Sequence, residues 1–277
     1  MADSRKDYSK TSILRPNAVF IKIFGILVPN SFKDLETEFA QKHVKQYLVK
    51  ASQSSLNKFL YARLQQDSLL DQAFGCKNPI ISNVNDINSM ATYVAWKMTE
   101  KNLPVKSPVS KLKTYVIDEG LAEGTLKVPV FSDAVAAVQA WRFGEYFIKN
   151  YTVSGMEKDD QKKYVQYTSA GDLTSCFNNY MPLASQIELS DSVTLEVLTK
   201  MIRDSPNNLL LITDSVKEAK AADDIGMMAI VLHRKGELIS REDNITQASE
   251  KQFVPKIVST FDEIRFINDP NKPPPCC

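Results

Sequence analysis

Residues 207–227 read NNLLLITDSVKEAKAADDIGM. Asn207 and Asn208 are turn residues, and Leu209–Thr213 is a short apolar run that stops at Asp214, the length and character of a strand covered on both faces. KEAKAADDIG has helical composition, and Gly226 marks its end, because glycine takes the left-handed conformation that closes helices. Met227–Leu232, MMAIVL, is then a second buried strand. Strand, helix and strand in so short a span form the repeating unit of a parallel sheet, whose neighbouring strands need a crossover between them.

The same alternation extends toward the N-terminus. DAVAAVQAWR (133–142) predicts a helix with an acidic N-cap after Ser132, YFIKNYTV predicts a strand, and LTSCFNNYM and VTLEVLTKMIRD predict helices. Residues 18–28, AVFIKIFGILV, are β-branched and aromatic with one lysine, closed by Pro29, and predict a buried strand. From Ser31 to about Lys101 the apolar spacing is helical, and Lys101 to Lys113, with two prolines and several lysines, suits an exposed connection. The expected fold class is therefore α/β: a Rossmann-like parallel sheet covered by helices on both faces, with a helical module inserted behind its first strand. The expected boundaries are 1–30 with 128–268 for the core, 31–127 for the inserted cap, and 269–277 for a Pro-rich flexible tail. Ligands of open α/β sheets bind beyond the carboxyl ends of strands, which directs attention to Lys22–Gly25, Thr152–Gly155 and Thr213–Glu218.

Composition removes several function classes. Lys+Arg 34 against Asp+Glu 33 leaves a formal charge of +1, no broad footprint for nucleic acid or an anionic membrane. Only His43 and His233 are present, so a paired-histidine zinc helix is impossible, and both read as ordinary surface or packing histidines. Nine glycines form neither a dinucleotide fingerprint nor a phosphate-binding P-loop, and no Gly-x-Ser-x-Gly elbow occurs. The charged start and the lack of an apolar run long enough for a membrane span lead to an expected cytoplasmic location. Cys76, Cys176, Cys276 and Cys277 are too few and scattered for a disulfide framework and are expected as thiols. The sequons at Asn150 and Asn244 carry no weight without secretion.

At the strand ends the sequence resembles the haloacid-dehalogenase-like phosphohydrolases, and more narrowly the enolase-phosphatase (acireductone synthase) family of methionine salvage. The resemblance covers nearly the whole chain and rests on IDEGLAEGTLKVPVFSDAVAAVQAW (117–141), NNLLLITDSVKEAKAADDIGM (207–227) and SFKDLETEFAQKHVKQYL (31–48). It implies a haloacid-dehalogenase-like core with a helical cap. It also implies an aspartate nucleophile within Asp-x-Glu-Gly-Thr-Thr-x-Pro at the end of strand one, with magnesium neutralising the phosphate. The corresponding run here is Lys22-Ile23-Phe24-Gly25-Ile26-Leu27-Val28-Pro29. Gly25 and Pro29 keep their places, while the nucleophile has become Lys22 and the second acidic position Phe24. A protonated lysine has no lone pair and repels magnesium.

The family's Ser-Ser-Gly motif stands as Val153-Ser154-Gly155 after Thr152, so Thr152 and Ser154 are the candidate substrate-binding hydroxyls, with turn chemistry as the alternative for Ser154. The phosphate-steadying lysine has no counterpart between Tyr164 and Thr199, and Leu189 falls near its place. Thr213-Asp214 followed by Glu218 retains the fourth motif. Asp214 is either a remnant metal ligand or a structural helix cap. The vestigial site is thus Lys22, Phe24, Gly25, Ser154, Gly155 and Leu189, with no catalytic residue assigned, and Lys22 is expected to pair with Asp214 in place of the metal.

The expectation is a catalytically inactive, enolase-phosphatase-like protein with a binding or regulatory role, no resident cofactor, and an unidentified protein partner. The alternative is an active magnesium-dependent phosphatase converting 2,3-diketo-5-methylthiopentyl-1-phosphate; a third reading has the cleft hold a small anion through Lys22 and Ser154. The tail PNKPPPCC has the double-cysteine form of prenylated chains at Cys276 and Cys277, with a coincidental ending as the preferred reading.

Overall fold

The computed structural model describes residues 10–52, 58–100, 103–104, 107–184, 187–236 and 253–268; Asn244 and the tail with Cys276 and Cys277 lie outside them. Strand β1 (Thr11–Leu14) pairs in parallel with β8 (Ile264–Ile267), a two-stranded sheet. The main sheet has six parallel strands: β2 (Ala18–Lys22), β3 (Lys149–Ser154), β4 (Asn179–Pro182), β5 (Leu209–Thr213), β6 (Met228–Leu232) and β7 (Lys256–Val258). Their order is β4-β3-β2-β5-β6-β7. Contacts divide the chain into two units, Met1–Asn30 with Val128–Cys277, and Ser31–Lys127.

Side chains of a strand alternate between faces, so a central strand must be apolar on both. Ala18 and Phe20 of β2 join Tyr151, Val153, Leu209 and Leu211 on one face. That face is covered by Leu195 and Leu198 of α7 (Ser192–Ile202) and by Ala221 and Ala222 of α8 (Val216–Asp224). The other face meets α5 (Ser132–Phe143) and α6 (Lys158–Gln166). There the buried Asn150 donates to the Val138 carbonyl at 2.9 Å, and the buried Thr152 hydroxyl donates to Gln161 Oε1 at 2.7 Å.

The second unit is helical: α1 (Phe32–Ala51), α2 (Lys58–Ala73), α3 (Ile87–Lys97) and α4 (Pro108–Ala122). The first of these buries Phe32, Glu36, Ala40, Val44 and Leu48, every fourth residue, as one face of a helix requires. Gly120 of α4 lies where an added Cβ would meet the Phe39 ring at 2.4 Å, so only glycine lets α4 come so close.

Four local readings of the sequence need correction. The first core strand ends at Lys22; residues 23–28 form a tight turn, in which the Ile23 carbonyl accepts from the amides of Leu27 and Val28, both at 2.9 Å. Apolar composition alone does not separate a strand from a buried turn. LTSCFNNYM is a 3₁₀ turn (Thr174–Cys176) followed by β4, because pairing with β3 outweighs the local helical spacing. Helix α4 starts at Pro108, N-capped by the Ser107 hydroxyl, within the stretch read as a connection. Asp133 does not cap α5, whose N-cap is Phe131 without a side-chain bond.

Asp133 is instead taken up by Arg234, which is 6% exposed. Arg234 Nη1 donates to both carboxylate oxygens of Asp133 at 3.0 and 3.1 Å, and Nε and Nη2 donate to the Ile26 carbonyl at 3.2 and 3.0 Å. Its guanidinium stacks over the Phe131 ring at 3.8 Å, and the Phe261 amide donates to Asp133 Oδ2 at 2.8 Å. One planar fork therefore ties the 23–28 turn, the start of α5 and the C-terminal segment together. Breaking a buried pair leaves an uncompensated charge, so Arg234→Ala is expected to lower unfolding stability by about 3–5 kcal/mol. Arg234→Lys should recover less than half of that loss in urea denaturation, because an ammonium cannot form the bidentate and stacked contacts; full recovery would show that charge alone matters here.

Candidate functional site

The chain runs from β2 outward through β3 to β4, then crosses back to β5 on the other side of β2. The sheet's switch point thus lies between β2 and β5, where doubly wound sheets place their sites. Ala18 to Ile21 pair in register with Leu209 to Ile212, so both strands end at one level, with Lys22 on one and Thr213 and Asp214 on the other.

Lys22 Nζ donates to Asp214 Oδ1 at 2.6 Å and to Glu218 Oε1 at 3.0 Å. The three side chains are 24, 24 and 15% exposed, a mostly desolvated ion triad. Glu218 is set by the first turn of α8: the Ser215 hydroxyl caps the helix by accepting from the Glu218 amide, and the Thr213 hydroxyl donates to Glu218 Oε2 while accepting from the Ser215 amide at 3.0 Å. The 23–28 turn closes the other side. Gly25 has φ +79°, and a Cβ there would stand 2.9 Å from Asp214 Oδ2, so both its conformation and the approach of the carboxylate require glycine.

The other sequence-nominated residues are placed as follows. Phe24 meets Tyr164 of α6 edge to face, with ring centroids 5.5 Å apart. The Thr152 hydroxyl is committed to Gln161, which in turn donates to the Met156 carbonyl at 2.9 Å. Ser154 Oγ accepts from the Met156 amide at 3.2 Å, an ST-turn contact, and a Cβ added at Gly155 would stand in open space. Leu189 is buried in the core with Phe20, Tyr151 and Met181. The structure thus brings together Lys22, Gly25, Asp214 and Glu218. Thr213 and Ser215 also belong to the site. Thr213 is already named by the fourth motif, whereas Ser215 has no role in the sequence reading, although Ser215-x-x-Glu218 has the spacing of a helix-capping box. Arg234, which holds the turn through Ile26, left no local signal at all.

Burial by itself would lower the Lys22 pKa, but the carboxylates of Glu218 and Asp214, through charge and hydrogen bonds, outweigh it and hold it above the ordinary lysine value. At neutral pH the group is an ammonium, unable to donate an electron pair to phosphorus. A divalent metal fits poorly here, because the cationic Nζ stands between the two carboxylates and already donates hydrogen bonds to Asp214 Oδ1 and Glu218 Oε1. One ammonium against two carboxylates also leaves an excess negative charge, unfavourable for holding an anion.

Lys22→Ala leaves two carboxylates facing each other without a cation, and is expected to cost about 2–4 kcal/mol, or roughly 5–15 °C in melting temperature. An unchanged melting temperature would show that the triad contributes nothing. A folded-state pKa above the unfolded value of ~10.4 means that the triad's stabilisation is complete below that pH and is lost as pH rises through the higher folded value. Denaturation between pH 8 and 11.5 should therefore show a steeper alkaline loss in the unaltered protein than in Lys22→Met.

No protein-family model matches the chain. Among curated proteins it is similar to enolase-phosphatase E1 of Persephonella marina, 25% identical over 78% of this chain and 88% of that protein. It is also similar to enolase-phosphatase E1 of Aedes aegypti, 26% identical over 91% of this chain, although it spans only 22% of that longer protein. Among solved structures it shares its fold with the UTR4 protein of Saccharomyces cerevisiae, with a TM-score of 0.63 at 17% identity over 90% of this chain and 99% of that one. By sequence the chain is thus similar over most of its length to enolase-phosphatase E1 proteins at about 25% identity, and by structure it shares the parallel α/β fold of the UTR4 protein.

Proposed function

We propose that this protein is a non-hydrolysing relative of enolase-phosphatase, a cytoplasmic binding or regulatory protein connected with methionine salvage. The observation that carries this reading is the seat of Lys22 Nζ, within hydrogen-bonding distance of both Asp214 and Glu218. In an aspartate-dependent phosphatase the group at the end of the first core strand attacks phosphorus, and a metal beside it offsets the phosphate charge. Here one side chain removes the attacking group and brings its own cation. Phe24, packed on Tyr164, supplies no acid, and Leu189, buried in the core, supplies no cation for a transferring phosphoryl group. Residues that act as a unit lose most of their effect when one is lost, and here three of the positions are altered. The excess negative charge of the triad weighs against the reading in which Lys22 holds an anion. The domain assignment follows the same proposal, with 1–30 and 128–268 as core and 31–127 as cap. A reducing compartment agrees with the free thiols of Cys76 and Cys176.

The decisive test is turnover of an aryl phosphate and of 2,3-diketo-5-methylthiopentyl-1-phosphate with magnesium; none above buffer is expected, and turnover abolished by a chelator would overturn the proposal. Lys22→Asp alone should remain inactive, since Phe24 and Leu189 are unchanged. A ligand that binds only the folded state raises its stability. Adding or chelating magnesium should accordingly shift the melting temperature of the unaltered protein by no more than about 1 °C at millimolar concentrations, and a larger, saturable rise would reveal a metal site.

A further inference from the structure

Helix α7 is apolar on both sides. Leu195 and Leu198 face the core, yet Val193, Val197 and Met201, spaced four apart on the outward side, are 61, 49 and 61% exposed. A helix that covers one face of a sheet needs only one apolar stripe. Pro182, Leu183 and Ile187 flank the outer stripe and form with it a groove of about 480 Å³. Scattered exposed apolar residues are ordinary, whereas a contiguous set marks a contact surface. Beside the stripe runs a second row, Glu196 and Lys200, paired with each other at 3.5 Å.

We propose that this face is a homodimer contact in which α7 packs antiparallel against α7 of a second copy, about a two-fold axis near Val197. The order of residues selects a second copy over a foreign helix. A two-fold contact must be complementary to itself. Turning the stripe about Val197 sets Val193 against Met201 of the other copy, and Met201 against Val193. The charged row is centred one residue further on, so the same turn leaves Glu196 of each copy about 3 Å along the helix axis from Lys200 of the other, a gap that these long side chains span. A uniformly acidic or basic helix would face a like charge at one of these two positions. The helix has 11 residues, about 16 Å of length, so the contact falls at the small end of specific interfaces and the dimer forms at micromolar or higher protein concentration. This inference does not depend on whether the protein hydrolyses phosphate.

Sedimentation velocity on the full chain, from about 1 to 300 μM, tests it. The unaltered protein should pass from monomer to dimer across this range, and Val197→Asp should remain monomeric with an unchanged melting temperature. Glu196→Lys, which sets lysines against each other twice, should raise the dissociation constant about tenfold, while Glu196→Lys with Lys200→Glu should restore it to within about threefold. A monomer at every concentration overturns the proposal. So does a charge-swapped double variant no better than the single one, or a Val197→Asp variant that melts clearly earlier, since the face would then be covered by the chain itself.

Discussion

Two strands nearly two hundred residues apart in sequence, β2 and β5, lie side by side in the middle of a parallel sheet and end at one level. Most of the chemistry of this protein follows from that adjacency. It places the last residue of one strand, Lys22, against the first residues after the other, Asp214 and Glu218. In largely desolvated surroundings unlike charges must pair, and the cost of leaving either side alone is high. The triad therefore occupies the point where sheets of this type place their ligand sites.

The surrounding polypeptide is built to hold that joint still. Gly25 gives Asp214 room, Thr213 and Ser215 aim Glu218, and Arg234 grips the turn through the Ile26 carbonyl while neutralising Asp133. Supporting contacts of this kind are what a precise phosphatase site would require. Here they hold an ammonium. A shared fold does not by itself settle what such a site does, because function belongs to sites rather than to folds.

Where local pattern and tertiary partner agree, the elements are legible in the sequence. Leu209–Thr213 and the helix ending before Gly226 need no further context, since a wholly apolar run and a glycine stop have few other solutions. LTSCFNNYM was misread because an edge strand is decided by the strand it pairs with, and the 23–28 run because a buried turn is as apolar as a strand. β1, β7 and β8, three or four residues each, are too short for any periodicity to show. The site was legible at Lys22, Gly25, Asp214 and Glu218 through a motif with known spacing. Arg234 was not, because it acts on Ile26 from 208 residues away.

The sequence alone determined that this is an α/β chain of strands joined by helices, and that position 22 carries an ammonium instead of a carboxylate, because strand burial and side-chain chemistry are local properties. The motif spacing already pointed to Asp214 as its partner; only the tertiary structure added Glu218 and decided which hydroxyls and guanidinium hold the site in place. Distances between residues far apart along the chain are set by strand order and register, and no local property of the sequence encodes these.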